Sequence, residues 1–457
     1  MTAASEALSR IVGQGNITVG DAVGDDYAHD ECLTSPGCLP AAVVRPGTTA
    51  EVAAIVRSAV ELGVPLTARG SGTGLSGACV PVPGGIVVSF ERMDAILDID
   101  IANHVAVVQP GVTLDELDQA LAPHGLVYPV FPGELSATLG GNVATNAGGM
   151  RAVRHGVTRH HVLGLEAVLG TGETIRTGGR FVKATAGYDL TQLIVGSEGT
   201  LALVCEATLR LAPRPDHAVT LLAPFATLDE IATAVPPLVA SGLAPLMIEY
   251  IDMISMAGIT ANAGIELGIP SEIGDRALAY LVVVLDSHRA DSLAEDAESL
   301  ALLLDGRGAL DVYVLPPTTG TQLIEAREHA FWSAKAAGAD DIIDVVVPRA
   351  SIPAYLSQVA ELATGTESMV VGCGHAGDGN VHLSVFQPDP SRRHELVAAV
   401  IAAGVRLGGA VSGEHGIGRE KKEYLAAIED PAKMELMRRI KEAFDPGNIL
   451  NPGAIFD

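Results

Sequence analysis

The sequence predicts an α+β chain: an α/β first domain, an α+β cap built on an antiparallel sheet, and a C-terminal helical segment. Strand-like runs alternate with helix-like spacing through the first part of the chain, the pattern of a packed α/β domain. A proline-bearing break at residues 212–216 ends that alternation. Beyond it, helices such as 228–240 alternate with strands such as 281–285 and 369–372. Residues 431–444 form a helix before a proline/glycine-punctuated stretch at 445–453. The chain has 457 residues, so two or three domains of roughly 150 residues fit. The expected divisions are a helical lead at 1–38, a first domain at 39–215, a cap at 216–430, and a terminal segment at 431–457 that returns to the first domain.

Residues 41–45 are a short apolar strand. Residues 49–62 have helical spacing, with Val52, Ile55, Val56 and Val60 on one stripe. The strand at 64–68 runs directly into a glycine-rich turn, and 85–89 and 105–109 are further strands rich in β-branched residues. Residues 113–120 form a helix with Thr113 as N-cap and Glu116 at the capping-box position. Strands continue at 163–169 and 201–211, and there is no internal repeat or low-complexity segment.

Charge excludes several function classes. Lys+Arg number 29 against 55 Asp+Glu, a formal net charge of -26, which disfavours nucleic acid and anionic lipid as partners. Aromatics are 4%, too few for a base-stacking platform. Residues 1–14 read as a short amphipathic helix rather than a signal peptide, and no stretch is apolar for the roughly 20 residues of a membrane span. A cytoplasmic protein is expected. Cys32, Cys38, Cys79, Cys205 and Cys373 are scattered and contain no C-x-x-C pair. That argues against a disulfide framework, a zinc ribbon or a cysteine-ligated iron–sulfur cluster in this chain.

Residues 69–77 read R-G-S-G-T-G-L-S-G. Four glycines after a strand let backbone amides approach a ligand and form an anion-binding nest. Ser71, Thr73 and Ser76 add hydroxyls and Arg69 adds charge, so a pyrophosphate suits the turn, although a tight connection alone also fits. It lacks the Lys-Ser/Thr of a Walker loop and the spacing of a standard dinucleotide fingerprint. Residues 140–149, G-G-N-V-A-T-N-A-G-G, are a second run of small residues, with Asn142, Thr145 and Asn146 as polar partners. Two such segments suggest one extended ligand held from two sides.

At this point the sequence resembles the FAD-binding domain of the vanillyl-alcohol oxidase/p-cresol methylhydroxylase (PCMH) superfamily. The matching runs are 65–81, 110–117 (P-G-V-T-L-D-E-L), 140–149 and 196–200 (G-S-E-G-T), and the likeness extends from about Leu39 to the C-terminus. Within the superfamily the resemblance is to the branch containing a flavoprotein component of glycolate oxidase, D-lactate dehydrogenase and D-2-hydroxyglutarate dehydrogenase. It implies a two-subdomain α/β FAD-binding domain of the PCMH type. It assigns the flavin's pyrophosphate to Arg69, Gly70, Ser71, Gly72, Thr73, Gly74, Leu75, Ser76 and Gly77. Gly133, Thr138, Gly140, Gly141, Asn142, Thr145, Asn146, Gly148, Glu198, Gly199 and Asn451 would hold the rest. Some members attach FAD through a histidine in the first glycine loop. This loop has none, so non-covalent FAD is expected.

Residues 372–385 read G-C-G-H-A-G-D-G-N-V-H-L-S-V. Asp378-Gly379 is a favoured two-residue hairpin loop, which would set His375 directly opposite His382, with Cβ atoms about 4.5–5.5 Å apart. Such a pair fits a solvated hairpin face as well as a metal. A third donor, Glu414 in V-S-G-E-H-G-I-G (411–418), completes a two-histidine, one-carboxylate set. The resemblance implies that His375, His382 and Glu414 bind a divalent metal, with zinc, iron and manganese all compatible. His415 fits a general base or a hydrogen bond that supports a metal ligand, and the resemblance implies catalysis. Arg327, on the helical run 321–330, would grip a substrate carboxylate by the same resemblance.

The chemistry implied is oxidation of a small D-2-hydroxy acid to the 2-keto acid, with hydride passing to FAD. An external electron acceptor or an iron–sulfur partner subunit would follow. Three positions depart from the D-2-hydroxyglutarate pattern. Ile342 stands for a lysine shortly before the strand 344–348, Phe331 for a threonine four residues after the arginine, and Ser384 for an asparagine two residues past the second metal histidine. Loss of a cation and two polar groups points to a shorter or more apolar acid, D-lactate or glycolate-like. D-2-hydroxyglutarate oxidation, an alkyl-glycerone-phosphate-synthase-like transferase, a flavin-free metal protein and a non-catalytic FAD-binding subunit of a glycolate oxidase are the competing readings.

Overall fold

The helix expected over 49–62 forms as Thr49–Leu62, and its ends explain its bounds. Thr48 Oγ1 accepts the Glu51 amide at 3.2 Å, and Gly63 closes the helix in the left-handed region at φ 63°. Val52, Ile55 and Val56 are fully buried, each worth about 1.5–3 kcal/mol of apolar transfer. The computed structural model describes residues 3–457. The first expected helix is seen as Ala3–Val12, its expected start at Met1 lying outside the described residues. The capping box at Thr113 and Glu116 is formed in both directions, 3.2 Å and 2.9 Å.

The chain divides into two units. The first comprises Met1–Ala147, Val157–Arg214 and Glu414–Asp457; the second comprises Gly148–Gly156 and Pro215–Gly413.

The first unit holds two larger sheets and a two-stranded one that pairs Leu126–Val127 with Ala212–Pro213. A four-stranded sheet runs in the order Ile17–Val19, Ala42–Val44, Ile86–Ser89, Leu66–Arg69, the first pair antiparallel and the others parallel. A five-stranded antiparallel sheet runs Ile96–Asp100, Val105–Val108, Ala202–Arg210, Val162–Leu169, Thr174–Gly178. The C-terminal tail returns to the edge of the first sheet: Leu66 N donates to Ile449 O at 2.8 Å and Asn451 N to Leu66 O at 2.7 Å. Lys441 ties this return down by donating to Thr200 O, Leu450 O and Asp445 Oδ2.

The small-residue run at 140–149 is in part helical. Leu139–Thr145 is a helix ending at Asn146 with φ 53°. Glycine opens it because a Cβ at Gly140 would come within 2.9 Å of the Pro110 carbonyl oxygen.

The second unit is built on one seven-stranded sheet, in the order Tyr313–Val314, His217–Phe225, Ala279–Ser287, Met247–Asp252, Met369–His375, Asn380–Phe386, Asp341–Val346. Every neighbouring pair is antiparallel, as the α+β expectation for the cap requires. Helix Leu228–Ala240 lies where the sequence placed it. The strand expected at 344–348 begins earlier, at Asp341, so Ile342 is inside it rather than before it.

Candidate functional site

In the first unit, the end of strand Leu66–Arg69, helix Leu139–Thr145 and the turn 197–199 enclose a cleft of about 670 Å³ open to solvent. Of the residues expected to hold the cofactor, Arg69, Gly70, Thr138, Gly140, Gly141, Thr145, Glu198 and Gly199 line it. Gly70 is required there, because a Cβ would overlap Thr138 Oγ1. Ser71, Gly72, Thr73, Gly74, Leu75, Ser76 and Gly77 continue the turn beyond the cleft lining, and Gly133, Asn142, Asn146 and Asn451 also stand outside that lining. Gly148 falls in the second unit.

The chemistry of the donors fits an acceptor-rich ligand. Ser76 Oγ, Thr138 Oγ1 and Asn142 Nδ2 are buried with no hydrogen-bond partner from the protein. Thr138 stands at a helix N-cap but does not use its hydroxyl for capping. Each such group costs roughly 1–3 kcal/mol when left unpaired, and Thr138, which lines the cleft, can donate to a phosphate or flavin carbonyl oxygen. Thr138→Val is therefore expected to weaken FAD binding roughly two- to tenfold, while the apoprotein unfolds at the same denaturant concentration or a higher one. Flavin titration and urea unfolding of the apoprotein check this; a destabilised apoprotein would contradict it.

Two of the lining residues, Arg69 and Glu198, also bond the protein's own backbone. Arg69 is buried, donates Nη1 to His29 O at 2.8 Å and lies over the Tyr27 ring, so it braces the turn from behind. Glu198 is held at φ 52°, an unfavourable region for its residue type. Its carboxylate accepts the Ile417 and Gly418 amides at 2.8 and 2.7 Å. It thereby anchors the backbone just after His415, within the same unit. Asn451 Nδ2 donates to Glu198 O at 2.8 Å and to Ala78 O at 3.0 Å, linking the tail to the turn 197–199 and to the end of the first glycine loop.

Burial raises the Glu198 carboxyl above its ordinary value of 4.5, against the pull of the two amides. A raised carboxyl holds its proton more tightly in the folded state. Its contribution to stability is full below pH 4.5 and is lost as pH rises through the folded value. Relative to Glu198→Gln, which does not titrate, the wild-type protein is expected to lose stability from that pH up to the raised folded value and to level off beyond it. Urea unfolding of both proteins over a pH series checks it, and a pH-independent difference would contradict it.

In the second unit the hairpin differs from the expected one. Its loop is the four residues 376–379, not Asp378-Gly379 alone, and Cys373, rather than His375, pairs with His382. The shift is by two residues, and side chains alternate with period two. His375 and His382 therefore still share a face, diagonally, with ring centroids 4.9 Å apart and ring nitrogens within 4.8 Å. That spacing fits two imidazole ligands of a single ion, for which bonds of about 2.0–2.1 Å are usual.

Register brings further polar groups to the same face. Glu249 pairs with His375, and Asp344 with His382. Glu249 is fully buried, with Oε1 2.7 Å from His375 Nδ1 and Oε2 in a 3.0 Å ion pair with Arg327 Nη2. A carboxylate at Nδ1 fixes the proton there and leaves the His375 Nε2 lone pair for a ligand. Asp344 is fully buried and accepts Ser412 Oγ at 2.7 Å and the Gly413 amide at 3.0 Å. Asn380 Nδ2 lies 3.4 Å from His382 Nε2.

Sequence reasoning missed Glu249, Asp344, Asn380 and Ser412. The available signal for the two acids was a carboxylate within an apolar strand-like run, M-I-E-Y-I-D and D-I-I-D-V-V. Ile342 pairs with Ser384 on the neighbouring strand, and Phe331 stacks edge-on against Trp332 at 5.1 Å. Glu414 and His415 open the last segment of the first unit, immediately after Gly413 closes the second.

The folds and the glycine-lined cleft define a flavin-binding oxidoreductase with a separate α+β cap. Residues 40–178 match the FAD binding domain and residues 214–455 the C-terminal domain of FAD linked oxidases. The chain belongs to the FAD-linked oxidase family. It is 56% identical over 456 residues to an uncharacterized FAD-linked oxidoreductase of Mycobacterium tuberculosis, covering 100% of this chain and 99% of that one. It is 37% identical over 452 residues to a D-lactate dehydrogenase of Anaerostipes hadrus, covering 96% and 94%. It is 35% identical over 459 residues to the glycolate oxidase subunit GlcD of Bacillus subtilis, covering 99% and 96%. The crystal structure of p-cresol methylhydroxylase has the same fold, with a TM-score of 0.83 at 18% identity over 99% of this chain and 96% of that one. No helix of the described residues is long and apolar enough to cross a membrane.

Proposed function

We propose that the chain oxidises a small D-2-hydroxy acid, D-lactate or a glycolate-like acid, to the corresponding 2-keto acid. The observation that carries this reading is the polar sheet face of the second unit, where His375, His382, Glu249 and Arg327 converge in an otherwise apolar strand environment. Non-covalent FAD, when bound, supplies the acceptor for the hydride lost from the substrate α-carbon. A divalent metal, when held by His375, His382 and Glu414, supplies a Lewis acid that makes the substrate hydroxyl easier to deprotonate.

The chain's own residues do the rest. Arg327, with five N–H donors, grips the substrate carboxylate while Nη2 stays paired to Glu249. His415 takes the hydroxyl proton, so the substrate loses one hydride and one proton. Glu414 and His415 take these roles from the motif V-S-G-E-H-G-I-G at 411–418. Ile342, Phe331 and Ser384 offer no cation for a second carboxylate, which favours D-lactate over D-2-hydroxyglutarate. The electrons leave to an external acceptor or to an iron–sulfur partner subunit, in keeping with the relative that is a subunit of glycolate oxidase.

Steady-state assay of the metal-loaded flavoprotein with an artificial acceptor tests the substrate class. The expected order of kcat/KM is D-lactate or glycolate first and D-2-hydroxyglutarate well below. A preference for D-2-hydroxyglutarate would overturn the short-acid reading, and turnover of none of them would overturn the whole.

A further inference from the structure

We propose that Glu249 is a positioning residue that couples the metal end of the site to its carboxylate-binding end. The inference rests on the proposed function and adds a residue to it. Glu249 lies mid-strand in Met247–Asp252, between Ile248 and Tyr250, which are buried on the opposite face. Its side chain is fully buried and spends one oxygen on each of two residues from different elements: His375 on strand Met369–His375 and Arg327 on helix Pro317–Glu328.

A buried carboxylate placed only to bury charge needs one cationic partner. This one has a cation and an imidazole, and each is a residue the chemistry requires. At His375 it fixes the Nδ1–H tautomer, orients the ring and makes Nε2 a better donor. At Arg327 it holds the guanidinium plane against rotation, so the remaining N–H groups present a fixed fork. One carboxylate thus sets the distance between metal and substrate carboxylate.

The test is Zn²⁺ and Mn²⁺ titration of the flavin-loaded protein against a chromophoric chelator, with KM and kcat for D-lactate measured alongside. Glu249→Gln is expected to weaken metal binding roughly 10- to 100-fold and to raise KM proportionally more than it lowers kcat. In a His375→Ala background, Glu249→Gln is expected to weaken metal binding no further, an effect that a merely structural residue would not show. Metal binding within twofold of wild type in Glu249→Gln, or an undiminished effect in the His375→Ala background, overturns the proposal and leaves the metal reading intact. A wild-type protein that takes up neither ion overturns the metal reading and this proposal with it. Should Glu249→Gln lose its flavin, Glu249→Asp keeps the charge but draws it back by one methylene. The same weakening is then expected, and unchanged affinity overturns the proposal.

Discussion

Replacing His382 with alanine is expected to lower kcat/KM toward D-lactate about a thousandfold, with flavin content unchanged. Loss of this proposed metal ligand would remove several kcal/mol of charge stabilisation in the transition state, and each 1.36 kcal/mol is a factor of ten in rate. His382 sits on the antiparallel sheet of the second unit, paired with both Asp344 and Cys373. The cleft expected to hold FAD is built wholly from residues of the first unit. Absorbance of the purified variant reports flavin retention and the acceptor assay reports the rate. A variant with near-normal turnover would remove His382 from the chemistry, and one that lost its flavin would show a wider structural role.

The second large effect is on stability. Arg327→Met leaves Glu249, fully buried, without its cationic partner. Breaking one side of a buried pair costs roughly 3–5 kcal/mol, so a clear drop in the urea midpoint is expected, together with a raised KM. Adding Glu249→Gln removes the stranded charge and is expected to return part of the lost stability without restoring KM. If Arg327→Met unfolds at the wild-type midpoint, the ion pair contributes little and Arg327 is held by packing.

Local signals were legible in the sequence. Thr113 with Glu116 and the run 49–62 needed only neighbours within one helical turn, and they form as expected. The histidine pair was legible for a different reason. The expected loop length was wrong by two residues, but period-two alternation is indifferent to a shift of two, so His375 and His382 kept their common face. A shift of one would have separated them.

What stayed hidden depends on distant pairing. Glu249 meets His375 across 126 residues of chain, and only the register between Met247–Asp252 and Met369–His375 makes them neighbours. Arg69 and Glu198 were legible as members of glycine-rich motifs, but their bonds to the protein's own backbone were not. Arg69 braces its turn through His29, and Glu198 holds the backbone at 417–418. A motif reports that a residue type is needed at a place; the fold decides which atom it serves.

Anaerobic flavin bleaching tests the central claim most directly. Yellow, metal-loaded protein would be mixed in turn with D-lactate, glycolate, D-2-hydroxyglutarate and L-lactate, with the long-wavelength flavin band followed in each case. The expected result is rapid loss of that band with D-lactate or glycolate, little with L-lactate, and none in His382→Ala. A protein that holds both flavin and metal yet bleaches with none of these acids would contradict the proposal that the chain is a D-2-hydroxy-acid dehydrogenase.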